Sequence, residues 1–94
     1  MYYVYILFSE KDRKLYTGFT DDLISRFKAH TNGYVKATQN RRPLKLIYYE
    51  AYLRESDARR REKFLKGGNG KSQLKNQLED VFEELDYKNR FESA

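Results

Sequence analysis

The sequence predicts a small mixed α/β domain of the α+β type, in which a three-stranded antiparallel sheet is flanked by helices in the order β-β-α-β-α-α. Three runs rich in aromatic and β-branched residues predict the strands. A short polar turn joins the first two runs, which favours a hairpin. Three further stretches combine apolar residues at helical spacing with start and stop signals, and these predict the helices.

The opening hairpin is the strongest strand signal. Residues 2–8 are almost entirely aromatic or aliphatic, a pattern typical of a strand buried on both faces. Residues 9–14 form the polar turn, and residues 15–19 form the second strand. Gly18 within that strand predicts either a β-bulge or the close approach of another backbone or a ligand.

A polar, basic loop over residues 34–42 leads into the third strand. Pro43 ends this loop and is expected to hold Arg42 in an extended conformation. Residues 44–53 read as apolar on both faces, so a second buried strand is predicted.

The first helix is predicted between the capping oxygens of residues 20–22 and the stop signal Asn32-Gly33. Arg26 and His30 lie one turn apart on this helix, beside its apolar stripe, so both are expected near the boundary of the core. Three residues form the stripe, the second of them weakly: Leu23, Ile24 and Phe27.

The second helix is predicted over residues 57–66 and the last over residues 72–87, with a flexible glycine-rich break at residues 67–70 between them. The last helix has a clear amphipathic stripe. Its members are Leu74, Leu78, Val81 and Leu85. Residues 88–94 are predicted to be a tail, in which Phe91 adds a contact.

Length and composition limit the class of protein. A chain of 94 residues predicts one domain. The absence of cysteine excludes a disulfide framework and a thiolate metal site within it. The apolar run before Ser9 is only about seven residues long, too short for a secretion signal or a membrane span. We therefore expect a cytoplasmic protein with no membrane partner.

Charge is unevenly distributed along the chain. Residues 1–78 hold 17 Lys and Arg against 8 Asp and Glu, a net charge of +9. Residues 79–94 hold 2 against 6, a net charge of −4. A basic body predicts a polyanionic partner, most simply nucleic acid. A well-solvated basic surface is the alternative.

Glu62 is the most unusual side chain of the second helix. It falls between Ala58 and Leu65 on the face predicted to point inward. A carboxylate there is costly unless it is paired or bound to a metal. A salt bridge to one of the three arginines at positions 59–61 is the structural alternative to a functional role.

Four other side chains are candidates for chemistry, although each has a structural explanation when it is taken alone. His30 is the only histidine, and its side chain is suited to proton transfer, yet a lone histidine is usually structural. Arg26 by itself is a solvated charge. Tyr5 and Tyr16 lie on neighbouring predicted strands, where β-propensity alone accounts for tyrosine.

Taken together, these residues resemble the GIY-YIG nuclease superfamily. Tyr3-Val4-Tyr5 stands at the first motif and Tyr16-Thr17-Gly18 at the second, with eleven residues from Tyr5 to Tyr16. The passage that leads to Arg26 and His30 resembles the family's strand-to-helix passage, and residues 60–63 resemble its metal-binding helix.

The resemblance covers about residues 1–78 and implies a nuclease-like domain over residues 1–87. It is strongest to the small stand-alone bacterial members of the UPF0213 type. These are related to the nuclease domains of structure-specific junction endonucleases and of the excision-repair endonuclease.

The resemblance implies a role for each of the five residues. Tyr5 would be the general base for the attacking water, and His30 would assist it. Tyr16 would hold the site together and contact the scissile phosphate or its water. Arg26 would bind the phosphate and stabilise its growing charge. Glu62 would hold one divalent cation, Mg²⁺ or Mn²⁺, which keeps several waters and shares the substrate phosphate.

The sequence departs from the family pattern without losing a proposed working side chain. Tyr3, Val4 and Thr17 replace motif residues, and Phe19 stands where the excision-repair relatives carry a lysine. Many relatives have an asparagine after the metal-binding glutamate, and two residues compete for that place: Asn69 and Asn76.

The implied reaction is endonucleolytic hydrolysis of DNA, structure-specific and serving repair or recombination, with RNA and a targeting protein left open as further partners. Four basic residues are predicted to bind the nucleic acid: Lys36, Arg41, Arg42 and Lys63. One alternative is a non-catalytic nucleic-acid-binding module that keeps the fold. A weaker one is a protein-interaction domain that uses the acidic last helix.

Overall fold

The computed structural model describes residues 1–86 of the chain. Its elements are β1 (Tyr2–Ser9), β2 (Leu15–Thr20), α1 (Leu23–Thr31), a 3-10 turn (Gln39–Arg41), β3 (Leu44–Tyr52), α2 (Glu55–Lys66), α3 (Gly68–Gln77) and α4 (Glu79–Glu84). The predicted α+β fold with a three-stranded antiparallel sheet is confirmed. Residues 1–63 form one compact unit, and the described residues from 64 onward form a second. Within residues 1–86, no helix is long and apolar enough to cross a membrane.

β1 is the central strand of the sheet, in the order β2-β1-β3. Its residues from Val4 to Phe8 are all buried, which confirms the prediction of a strand covered on both faces. β1 pairs with β2 without a register shift, so the β-bulge considered at Gly18 is absent from this ladder. A register shift lies instead between Ile6 and Leu7, on the β3 side.

β3 differs from its prediction. It pairs only with β1, and its exposed and half-buried residues largely alternate, so it is not apolar on both faces. Tyr49 is 52% exposed, and Leu53, predicted as the last strand residue, lies beyond the strand and is 77% exposed. Apolar composition did not distinguish this edge strand from a central one, because tyrosine suits both environments.

α1 begins and ends as predicted. The Asp22 side chain caps it by accepting a hydrogen bond from the Ser25 backbone N–H, and Gly33 follows its end with a φ of 80°. The expectation that Arg26 and His30 both lie at the core boundary is wrong. His30 is fully buried, because the loop after α1 folds over it. Arg26 is exposed.

The loop over residues 34–42 is more ordered than a polar basic loop suggests. It contains the 3-10 turn, and Val35 and Thr38 are buried. The Ser9 hydroxyl donates a 2.6 Å hydrogen bond to the Arg41 carbonyl, which joins the loop to the end of β1. Arg42 is extended before Pro43, as predicted.

The second unit corrects the predicted helix boundaries. Gly67 caps α3, and Gly68 to Gly70 form its first turn instead of a flexible break. Gly70 tolerates no side chain, because a Cβ there would overlap the Phe64 carbonyl. The predicted helix over 72–87 is two helices, interrupted at Leu78. Tyr87, Phe91 and the predicted tail over 88–94 lie outside the described residues.

Candidate active site

A buried chain of hydrogen bonds forms the centre of the candidate site. The Tyr5 hydroxyl lies 2.8 Å from Nε2 of His30, and Nδ1 of His30 lies 2.7 Å from the Thr38 hydroxyl. Tyr5 is 1% exposed, and the other two side chains are fully buried. β1, α1 and the loop after α1 each contribute one residue, so the site depends on tertiary structure.

Gly18 makes room for Tyr5. The two residues are directly opposite each other on β2 and β1. A Cβ at Gly18 would overlap the ring and hydroxyl of Tyr5, so the tyrosine lies across the β2 backbone where no side chain intervenes. The close approach expected at this glycine therefore occurs, but a side chain makes it, not a backbone or ligand.

Tyr16 joins the same aromatic cluster. Its ring centroid lies 6.4 Å from that of Tyr5 and 5.2 Å from that of His30, the latter in an edge-to-face arrangement. The Tyr5 and His30 rings are themselves edge to face, at 5.6 Å. These are the distances at which aromatic pairs attract. The three rings therefore fix one another's orientation.

Arg26 and Glu62 both act electrostatically on Tyr5. Burial raises the pKa of the Tyr5 hydroxyl above its ordinary value of 10.0, and a hydrogen bond from Arg26 opposes this rise. The charges of Tyr16 and Glu62 add smaller increases to the pKa. Tyr5 is therefore linked to the other four predicted site residues, to His30 and Tyr16 by direct contacts and to Arg26 and Glu62 through their charges.

His30 is neutral at physiological pH. Burial, reinforced by the charge of Arg26, lowers the pKa of its imidazole from 6.5 to about 4. A neutral imidazole has one nitrogen that donates a hydrogen bond and one that accepts. His30 can therefore accept a proton from Tyr5 and cannot act as a permanent cation beside the phosphate.

Glu62 lies on the inward side of α2, as predicted. Ala58 and Leu65 on the same helix are buried, and Glu62 between them is half-buried. The three neighbouring arginines form these salt bridges: Arg59 with Glu55, Arg60 with Asp57 and Arg61 with Glu50.

The donor set at Glu62 fits a magnesium-like ion better than a transition metal. Within residues 1–86, no group of three or more His, Cys, Asp or Glu side chains could hold an ion. The one carboxylate of Glu62 is a hard oxygen donor. Mg²⁺ accepts such a donor, because it retains waters and is completed by substrate phosphate.

The four basic residues predicted to bind nucleic acid differ in their surroundings. Lys36 and Arg42 are exposed, and Lys63 is exposed on α2. Arg41 is half-buried, forms a salt bridge with Asp12 and also donates to the Leu15 carbonyl. Arg41 therefore has a structural role whatever else it contacts.

Two features of the site have no clear signal in the sequence. Thr38 sits in a loop that reads as polar, and the nearby β-branched Val35, which is also buried, is the one hint that this loop turns inward. Glu50 of β3 binds Arg61 of α2 through two hydrogen bonds, of 2.9 and 3.1 Å. Glu50 is the only carboxylate of β3, and no local pattern indicates its partner.

The fold and the site together define a class of protein: a small α+β domain in which two hairpin tyrosines, a histidine, an arginine and a carboxylate converge. The family model described as the GIY-YIG catalytic domain matches residues 1–76. The chain belongs to the GIY-YIG family.

Individual relatives agree with this assignment. The chain is 48% identical over 67 residues to a UPF0213 protein of Clostridium perfringens (strain 13 / Type A), covering 70% of this chain and 71% of that protein. It is 40% identical over 75 residues to a UPF0213 protein of Staphylococcus haemolyticus (strain JCSC1435), covering 79% and 90%. The solution NMR structure of a UPF0213 protein from Bacillus halodurans superposes with a TM-score of 0.52 at 37% identity, covering 82% of this chain and 85% of that chain.

Proposed function

We propose that this protein is an endonuclease that hydrolyses phosphodiester bonds of DNA with the help of one divalent cation. The observation that carries the proposal is the buried Tyr5–His30 hydrogen bond with Arg26 and Glu62 beside it. A potential base, a cation for the phosphate and a carboxylate for a metal are the groups that this reaction needs. Membership of the GIY-YIG family supports the same chemistry.

Arg26 binds the scissile phosphate in this mechanism. The residue is exposed, so it is accessible to a substrate, and its guanidinium opposes the rise in the pKa of the Tyr5 hydroxyl. A guanidinium remains charged and offers several donors in fixed geometry, which suits phosphate oxygens. Its interaction with the substrate strengthens as negative charge develops on the phosphate in the transition state.

Tyr5 takes the proton from the attacking water. Because burial raises the pKa of Tyr5, the tyrosine holds its own proton in the free protein at neutral pH. That proton moves along the 2.8 Å contact to Nε2 of His30 as the Tyr5 oxygen receives one from water. The hydroxide oxygen bonds to phosphorus, the ester P–O bond breaks, and the leaving oxygen is protonated by solvent. Tyr16 packs against both rings and keeps them aligned.

Glu62 is the residue that would hold the metal. A bound Mg²⁺ or Mn²⁺ would polarise the phosphate and stabilise the leaving oxygen. Glu62 contributes the negative charge that attracts the cation to the side of the site where Tyr5 lies.

DNA of unusual structure is the substrate we favour, in repair or recombination. A chain of 94 residues has little surface for reading bases, so backbone contacts and shape dominate its recognition. The net charge of +9 over residues 1–78 supplies the electrostatic attraction. That charge also favours a second function, a nucleic-acid-binding module without turnover, and RNA is the alternative polyanion.

Cleavage assays with two conservative variants test the proposal. Tyr5→Phe keeps the ring over Gly18 but loses the hydroxyl, and Glu62→Gln keeps the size of the side chain but loses its charge. Each should slow the cutting of flapped or branched DNA in Mg²⁺ or Mn²⁺ by about 100-fold or more. Glu55→Gln is the matched control, because Glu55 is an exposed carboxylate at the start of the same helix.

The outcomes separate the two functions. Cutting that survives both substitutions excludes the mechanism. If no DNA or RNA is cut by the wild type, while salt-sensitive binding persists in Glu62→Gln, the binding module is the correct function.

A further inference from the structure

We propose that Thr38 is a positioning residue that holds His30 in the tautomer able to accept the Tyr5 proton. The catalytic role of Thr38 rests on the proposed function, whereas the assignment of the His30 tautomer does not depend on it. It follows from the direction of each hydrogen bond in the Tyr5–His30–Thr38 chain.

The surroundings of Tyr5 determine which atom donates in each of these hydrogen bonds. Arg26, which acts on Tyr5 electrostatically, has no acceptor atom and so cannot receive the Tyr5 proton. The Tyr5 proton still needs an acceptor, because a buried donor without one costs free energy. Nε2 of His30, 2.8 Å away, is the acceptor that the hydrogen bonds of the described chain provide.

The state of His30 follows from that direction. If Nε2 accepts from Tyr5, it carries no proton, and in a neutral ring Nδ1 must carry it. Nδ1–H then donates to the Thr38 hydroxyl, 2.7 Å away. The lowered pKa of His30 supports a neutral ring.

Thr38 is itself firmly held. Its backbone N–H donates to the Val35 carbonyl at 3.1 Å, and its carbonyl accepts from the Arg41 N–H at 2.9 Å. The side chain is fully buried, so solvent does not replace it as the partner of Nδ1. Without the Thr38 hydroxyl, the Nδ1–H proton would be buried and unsatisfied. The ring would then favour the other tautomer, whose Nε2–H donates to Tyr5 and cannot accept its proton.

His30 is the only histidine of the chain, so ¹⁵N NMR of its ring reports the tautomer without ambiguity. At pH 7 the wild type should show a protonated Nδ1 and an unprotonated Nε2. Thr38→Val, which keeps the shape and loses the hydroxyl, should raise the Nε2–H population. Thr38→Ser, which restores the hydroxyl, should return the wild-type pattern. A wild type with protonated Nε2, or a Thr38→Val ring identical to wild type, overturns the proposal.

Kinetics supply the catalytic readout. Thr38→Val should lower kcat by about 10- to 100-fold with KM nearly unchanged, since the residue orients a reacting group and touches no substrate. Thr38→Ser should restore most of the rate. An unchanged kcat in Thr38→Val overturns the catalytic part. The wild-type NMR measurement needs neither a folded variant nor DNA cleavage, so failure of the nuclease function is distinguishable from failure of the positioning role.

Discussion

At the scale of single residues, a tyrosine on the central strand and a glycine opposite it determine where the chemistry can occur. Tyr5 is buried on the strand that pairs with both of the others, and Gly18 leaves the space that its ring crosses. An alanine at position 18 would require the ring or the backbone to shift. Gly18 is therefore explained by packing against Tyr5, before any role in binding substrate is considered.

The sequence could nominate these residues but could not decide their roles. The hairpin placed Tyr5 and Tyr16 on adjacent strands, and the helical repeat placed Arg26 near His30. The burial of His30 could not be predicted, because it depends on a loop eight residues further along the chain that packs against it. Thr38 was missed for the same reason, since no local pattern marks a polar residue that is buried by tertiary structure.

The buried histidine predicts how stability depends on pH. The pKa of His30 is lowered from 6.5 to about 4 on folding, so the unfolded chain binds the extra proton between those values. Its contribution to the free energy of unfolding is complete above pH 6.5 and is lost as pH falls toward 4. The loss should be on the order of 3 kcal/mol. Urea denaturation at a series of pH values measures it.

A variant without the histidine separates the effect of His30 on the pH dependence of stability from the effect of the carboxylates, which titrate at lower pH. His30→Gln should be less stable than wild type at pH 7, and the difference should narrow as the pH falls toward about 4. Parallel curves for the two proteins over this interval would show that His30 does not titrate with a lowered pKa.

At the scale of elements, most helices and strands were predictable, whereas the exposure of β3 and the boundaries of the last helices were not. Cap residues and apolar spacing located α1 and α2 within a few residues. The edge position of β3 depends on strand order, which its own composition does not encode. α3 begins within the glycine-rich segment because Gly70 packs against the backbone at Phe64, a contact that outweighs the low helix propensity of glycine.

The link between α2 and β3 places Glu62, and it leads to a prediction at this scale. Arg61 donates two hydrogen bonds to Glu50, which also accepts from the Tyr48 and Tyr52 hydroxyls. Burial alone would raise the pKa of Glu50, but the bonds from Arg61 and the two tyrosines lower it, so Glu50 is ionised at neutral pH. Arg61→Met should therefore destabilise the protein by about 1–3 kcal/mol, because it leaves this charge without its main partner.

Arg60→Met is the matched control on the same helix. Arg60 pairs with Asp57, but its side chain is 74% exposed, so its loss should cost about 0–1 kcal/mol. Chemical denaturation compares the two variants. Equal costs would mean that the Arg61–Glu50 pair adds nothing beyond an ordinary surface ion pair.

At the scale of the whole molecule, family membership and charge carry information that no single element does. Each candidate residue had a structural explanation by itself, and only the combination along residues 1–76 matched the family. Residues 1–78 carry a net charge of +9, yet composition does not say which cations are available to a ligand. The structure makes that distinction, because Lys36 is exposed whereas Arg41 is engaged by Asp12.

The difference between the exposed Lys36 and the paired Arg41 predicts the salt dependence of DNA binding. For a protein that releases counterions from DNA, the logarithm of the binding constant falls linearly with the logarithm of salt concentration. Lys36→Ala should reduce the slope by about 1 at unchanged stability, as expected for the loss of one phosphate contact. Arg41→Ala should first lower the free energy of unfolding, because it breaks the pair with Asp12 and the bond to the Leu15 carbonyl.

Fluorescence anisotropy with labelled DNA across a salt series, with urea denaturation of each variant, measures both quantities. Were Lys36→Ala to leave the slope unchanged while Glu62→Gln altered it, the exposed loop after α1 would not be the surface that meets the DNA backbone.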